Sequence, residues 1–163
     1  MGWNIISALV ENKPGVLFRV SNMFRARNFN IESLSVGPTE QQDLSRITVT
    51  IDGDEPVTEQ LVKQLQKLID VVEVTRLATD QTVYRELALL KLKAVDPTSR
   101  LEIINLADVF RGKIVDISKG TIMVEITGTP DKIAAFRSLV EHYGVIQLAR
   151  TGVSALPRGA LYE

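Results

Sequence analysis

Proline placement constrains this chain more than any other feature. Pro14, Pro56, Pro97 and Pro130 each open a stretch whose apolar residues recur at helical spacing. Proline suits the first helical turn, because its missing N–H has no partner inside the helix there. A residue able to cap a helix stands just upstream each time: Asn12, Asp54, Asp96 and Thr129. The predicted helices carry Val16, Leu17, Val20, Met23 and Phe24, then Val57, Leu61, Leu65 and Leu68. The later pair carries Leu101, Ile104, Ala107 and Phe110, then Ile133, Phe136, Leu139 and Val140.

Alternating runs lie between these helices. Ile47, Val49 and Ile51 share one face of a strand, as do Ile122, Val124 and Ile126. The polar partners on the other face predict sheets covered by helices on one side only. Further strands are expected near residues 4–10, 30–36, 71–77, 84–94, 113–118 and 145–150. The order is strand, helix, strand, strand, helix, strand, and then the same again. This is an α+β chain of two tandem ferredoxin-like βαββαβ domains. The expected division is residues 3–78, a polar linker at 79–83, and residues 84–163. The stretch from Thr151 onward, with Gly152, Pro157 and Gly159, is expected to be irregular. Small units with open sheet edges also favour oligomers.

Composition removes several chemistries. The 163 residues contain no cysteine and one histidine, His142, which excludes thiolate nucleophiles and a multi-histidine metal site within one chain. A net charge of -1 argues against nucleic acid as a partner. Arg111 and Lys113 make too small a basic cluster to change that. No apolar run reaches the length of a membrane span, and the expected compartment is the cytoplasm. No phosphate-binding glycine loop and no Gly-x-Ser-x-Gly turn is present. His142 is read as a helix-end residue. Asp52–Glu55 is read as a turn and cap rather than a calcium loop.

The informative segment is Glu11-Asn12-Lys13-Pro14-Gly15-Val16-Leu17, a strand end, a tight turn and a helix start. A helix start offers free N–H groups and positive dipole to a carboxylate. Gly15 lets a ligand approach the backbone. Asn12 can cap the helix or accept a hydrogen bond from a ligand ammonium. Asn30, at the start of the next strand, is expected to face the same loop. The residues alone also allow an ordinary helix start with no ligand.

Val10-Glu11-Asn12-Lys13-Pro14-Gly15-Val16-Leu17 resembles the opening loop of an ACT domain, an amino-acid-binding regulatory module. Asn28-Phe29-Asn30-Ile31-Glu32-Ser33-Leu34, Leu44-Ser45-Arg46-Ile47-Thr48 and Gln64–Val71 resemble the small regulatory subunit of acetohydroxyacid (acetolactate) synthase. Phe110–Asp116 and Ala149–Val153 resemble that family's second domain. The resemblance implies a homodimeric, non-catalytic chain without cofactors. Its partner would be a catalytic large subunit holding thiamine diphosphate, Mg²⁺ and FAD, which it would activate. It also implies feedback inhibition by valine, an end product of branched-chain amino acid biosynthesis, bound between two ACT domains. The implied effector residues are Asn12, Gly15, Val16, Leu17, Asn30 and Ile31. Phe18 departs from the family, where Ser or Ala is common, and a ring there would reshape the pocket or enter the core. The alternatives are a stand-alone amino-acid-sensing module serving another enzyme or regulator, and a small enzyme on the same scaffold.

Overall fold

A computed structural model describes residues 2–159. The first unit contains β1 (Gly2–Glu11), α1 (Val16–Arg27), β2 (Ile31–Pro38), β3 (Leu44–Gly53), α2 (Glu55–Gln66) and β4 (Val71–Leu77). The second contains β5 (Thr82–Ala94), α3 (Pro97–Val109), β6 (Lys113–Ser118), β7 (Gly120–Gly128), α4 (Pro130–Val140) and β8 (Val145–Arg150). The expected βαββαβ order therefore occurs twice. The antiparallel sheets run β2-β3-β1-β4 and β6-β7-β5-β8. The compact units divide after Val83, and the tail from Val153 groups with the first.

Three helices start as their prolines and caps predict. Asp54, Asp96 and Thr129 accept hydrogen bonds from the N–H groups of Val57, Ser99 and Lys132. A proline occupies the first or second position of each of these helices. The first helix does not follow this pattern, and its start is the functionally interesting one.

In the first unit, Ile6, Ala8 and Val10 of β1 and Ile47, Val49 and Ile51 of β3 meet Val16, Val20 and Phe24 of α1. Leu61 and Leu65 of α2 complete this core. Full burial of such a side chain contributes about 1.5–3 kcal/mol. In the second unit, Leu90 and Leu92 of β5 and Ile122, Val124 and Ile126 of β7 pack under Ile103, Ala107, Ile133, Phe136 and Val140. Phe110 meets Phe136 edge-on, with ring centroids 5.3 Å apart.

The helical stripes need correction at their edges. Leu17, Leu101 and Leu139 are exposed. Ile103 takes the core position expected of Leu101, because two residues turn the helix by roughly 200°. One-sided coverage also fails at the middle of the first sheet. Ser7, Thr48 and Thr50 lie on the face away from the helices and are buried nonetheless. Two of these hydroxyls have side-chain partners: Ser33 and Thr50 share a hydrogen bond of 2.5 Å, and Arg46 donates to Ser7 at 2.7 Å. The tail is not wholly irregular either. Val153 and Ala155 are buried while Ser154 and Leu156 face outward, and this alternation forms β9 (Ser154–Pro157). The Arg158 N–H donates to the Gln81 carbonyl of the same unit at 2.8 Å.

Candidate functional site

The loop after β1 is fixed at its base by two backbone hydrogen bonds. Glu11 N–H donates to the Asp70 carbonyl at 2.9 Å, and Asn12 N–H donates to the Asp43 carbonyl at 2.8 Å. Lys13 N–H turns back to the Glu11 carbonyl at 3.0 Å. Gly15 then adopts φ +85°, a left-handed conformation that a side chain would penalise. This residue, not Asn12, is the N-cap of α1, and no side chain caps the helix. Pro14 lies outside the helix for the same reason: the left-handed turn at Gly15 redirects the chain before the helix begins. The first turn also lacks an acidic residue. α1 thus presents the unneutralised positive end of a helix, a setting that favours a carboxylate.

The predicted residues fall into separate groups. Asn12 and Gly15 are exposed in the loop. Val16 is buried in the core, so only its backbone belongs to the loop surface. Leu17 is 45% exposed and Phe18 68% exposed, so the Phe18 ring does not enter the core. Asn30 is exposed, and Ile31 is half-buried at the start of β2.

Asn30 and Ile31 do not face the loop within one chain. Ile31 pairs with Ile51, and Ile51 with Asn4, near the start of β1. The loop leaves the other end of β1, where Glu11 pairs with Leu44. From Ile51 back to Leu44 along β3 is about 23 Å at the usual strand rise. The reason is topological: β1 and β2 are both antiparallel to β3, so they begin at the same end of the sheet. One chain therefore carries the two groups of predicted residues at opposite ends of the sheet.

Residues 6–73 match the family model described as the AHAS small subunit-like ACT domain, and residues 85–159 match that of the small subunit of acetolactate synthase. The chain belongs to the acetolactate synthase small-subunit family. A Mycolicibacterium smegmatis acetolactate synthase small subunit is 47% identical over 154 residues, covering 94% of this chain and 90% of the relative. An Archaeoglobus fulgidus protein named probable acetolactate synthase small subunit is 51% identical, covering 94% of this chain and 96% of its own. The crystal structure of acetolactate synthase small subunit from Thermotoga maritima superposes with a TM-score of 0.89 at 40% identity, covering 99% of this chain and 100% of that one. This chain is accordingly an acetolactate synthase small, regulatory subunit with an ACT domain.

Two residues of this small subunit escaped the sequence reading. Arg19, in the first turn of α1, donates from Nε to Asp70 Oδ2 at 2.5 Å. The Asp70 side chain is only 11% exposed. A cation in a first turn opposes the helix dipole, and that mismatch was the available signal. Elsewhere, Asp54 serves as a cap and Glu55 pairs with Arg76, so Asp52–Glu55 is occupied by structure. The Arg76 guanidinium holds the Glu55 carboxyl below its usual range. His142 lies in a short turn after α4 with its ring 3.9 Å from that of Tyr143. Among the described residues no group of three or more His, Cys, Asp or Glu is placed to hold a metal ion.

Proposed function

We propose that this chain activates a separate catalytic large subunit, which carries thiamine diphosphate, Mg²⁺ and FAD, and confers inhibition by valine. The observation that carries the effector half is the contrast among helix starts. Three are closed by their own side chains, whereas α1 begins at a bare glycine. The effector carboxylate lies on the α1 N–H groups, and its ammonium on the Asn side-chain oxygens. Leu17 and Ile31 meet the branched side chain.

The site is completed by a second copy. β2 is an edge strand, and it begins with the half-site residue Ile31. Two copies related by a two-fold axis beside this edge run their β2 strands in opposite directions. The Asn30–Ile31 end of one then lies at the Asn12–Gly15 end of the other. The homodimer has two such sites, each shared. Valine regulates if it favours one arrangement of this dimer and that preference reaches the large subunit.

Reconstitution with the matching catalytic subunit tests the activating role. The expected result is a higher rate on adding this chain, reversed by valine, and an unchanged rate overturns the reading. The shared site has its own test. Asn12→Ala and Asn30→Ala chains each fail to bind valine, but mixing them regenerates one intact site in every heterodimer, about a quarter of all sites. If mixing restores nothing, the half-sites are not shared between chains.

A further inference from the structure

We propose that Asp70 is the positioning residue of the effector loop, acting through Arg19 and setting amino-acid affinity without touching the ligand. The proposal rests on the effector reading above and names what holds that site in shape.

Asp70 holds both ends of one short loop. Its carbonyl accepts the Glu11 N–H at 2.9 Å, just before the loop. Its carboxylate accepts from Arg19 Nε at 2.5 Å, in the first helical turn after the loop. Asp70 itself is anchored by position, directly ahead of β4, with its carboxylate largely withdrawn from water. Arg19 reaches it by crossing Gly15: a Cβ on Gly15 would lie 3.2 Å from Arg19 Nη1. The guanidinium therefore lies beside the open helix start, in a position fixed by the carboxylate.

The second unit provides an internal comparison. Arg100 stands four residues after its N-cap Asp96, as Arg19 does after Gly15. The residue matching Asp70 ahead of the last strand is Gly144, whose carbonyl likewise accepts the Lys93 N–H at 2.9 Å. With no carboxylate there, Arg100 donates instead to the Ala94 and Ser118 carbonyls. The Asp96 side chain closes the helix start. The same fold thus manages without an Arg–Asp pair where its helix start is closed. The pair occurs in the unit whose start is open.

A fixed guanidinium matters for physical reasons. A loose arginine has many rotamers, and beside Gly15 it would compete for the space of the ligand. It would also lose the opposite charge that offsets its place at a helix start. Asp70 removes both problems while tying α1 to the β1–β4 side of the sheet.

The test is calorimetric titration of the full-length chain with L-valine and with L-valinamide, which lacks the carboxylate. Arg19→Gln and Asp70→Asn are each expected to weaken valine binding about tenfold. The double variant is expected to be no weaker than either single one, because one latch is broken only once. The valine-to-valinamide affinity ratio should stay at its wild-type value, and Asp70→Glu should recover part of the lost affinity. Urea unfolding of each variant identifies any that fail to fold, and Arg19→Lys then replaces Arg19→Gln. Wild-type affinity in folded variants overturns the proposal. So does a ratio that collapses in Arg19→Gln alone, which would make Arg19 a ligand contact. A wild-type chain that binds no amino acid overturns the effector reading itself and this proposal with it.

Discussion

Gly15→Ala separates backbone strain from effector binding. Gly15 sits at φ +85°, where a Cβ costs about 1–2 kcal/mol. The new methyl would lie 3.2 Å from Arg19 Nη1, the far end of a flexible side chain that can yield by a few tenths of an ångström. The contact therefore adds little, and strain dominates. Restricting the unfolded chain returns about 0.4–1 kcal/mol. The net loss is about 1 kcal/mol. With a urea dependence of about 1–3 kcal/mol per molar, the unfolding midpoint falls by about 0.3–1 M.

The assay is urea unfolding followed by circular dichroism for both units and by tryptophan fluorescence for the first. The chain has one tryptophan, Trp3, and it lies on β1 of the first unit. Gly120→Ala is the control. Gly120 has φ +86° with nothing within 4 Å of its built Cβ, so it carries similar strain without a neighbour to move. It belongs to the second unit, whereas the α1 loop belongs to the first. Both substitutions should cost about the same in stability, by the same left-handed penalty. Only Gly15→Ala should weaken valine binding, about tenfold, because only it displaces Arg19 and the helix start. A Gly15→Ala chain with wild-type midpoint and wild-type affinity would refute the reasoning at both steps.

The remaining predictions concern caps, a buried pair and alkaline pH. Asn12→Ala should change the unfolding free energy by less than about 0.5 kcal/mol, since it is exposed and caps nothing, whereas Asp54→Ala should cost about 1 kcal/mol. Equal losses in urea unfolding would restore Asn12 as a cap. Arg150→Ala should cost about 3 kcal/mol by circular dichroism in urea, because it strands Glu86, whose side chain is 1% exposed and accepts two hydrogen bonds from Arg150. Glu86→Ala should cost less, because the half-exposed guanidinium can turn toward water. Tyr143 donates its O–H to the Glu102 carboxylate, which pushes its pKa up to about 12. The unfolded phenol titrates near 10 and so releases its proton first. This stabilisation is complete below pH 10 and disappears as the pH rises through about 12. Tyr143→Phe should flatten the alkaline decline in melting temperature, and an unchanged decline would refute the hydrogen bond.

What the sequence made legible was local. A proline beside Asp54, Asp96 or Thr129 fixes a helix start within a few residues, and the alternation of Ile47, Val49 and Ile51 fixes a strand face. The misses were not local. Nothing in Asn12-Lys13-Pro14-Gly15 states that Gly15 takes a left-handed turn, and that turn is what separates Asn12 from the helix. The Arg19–Asp70 pair joins residues 51 positions apart. Asn30 was misplaced by a question of topology. The segment order βαβ says that β2 returns to the same sheet, but its position relative to the loop depends on strand direction. Once β1 and β2 both run antiparallel to β3, Asn30 must begin at the end the loop does not occupy.

The repeat makes the difference between its halves a matter of a few residues. Both units spend the same apolar faces on their cores, and both have an arginine four residues past the N-cap. In the second, the Asp96 carboxylate accepts from the Ser99 N–H and hydroxyl, which holds its own carboxyl below the usual aspartate range. That depression is the mark of an anion already seated at a helix start. In the first, Gly15 supplies no anion, and the place stays open. A carboxylate from outside can therefore do at α1 what Asp96 does at α3. On the proposed reading, the amino acid therefore binds at the start of α1 and not at the start of α3. Substituting Asp96 should affect the stability of the second unit without creating a competitor for valine, because that unit lacks the Asp70 carboxylate that holds its arginine aside.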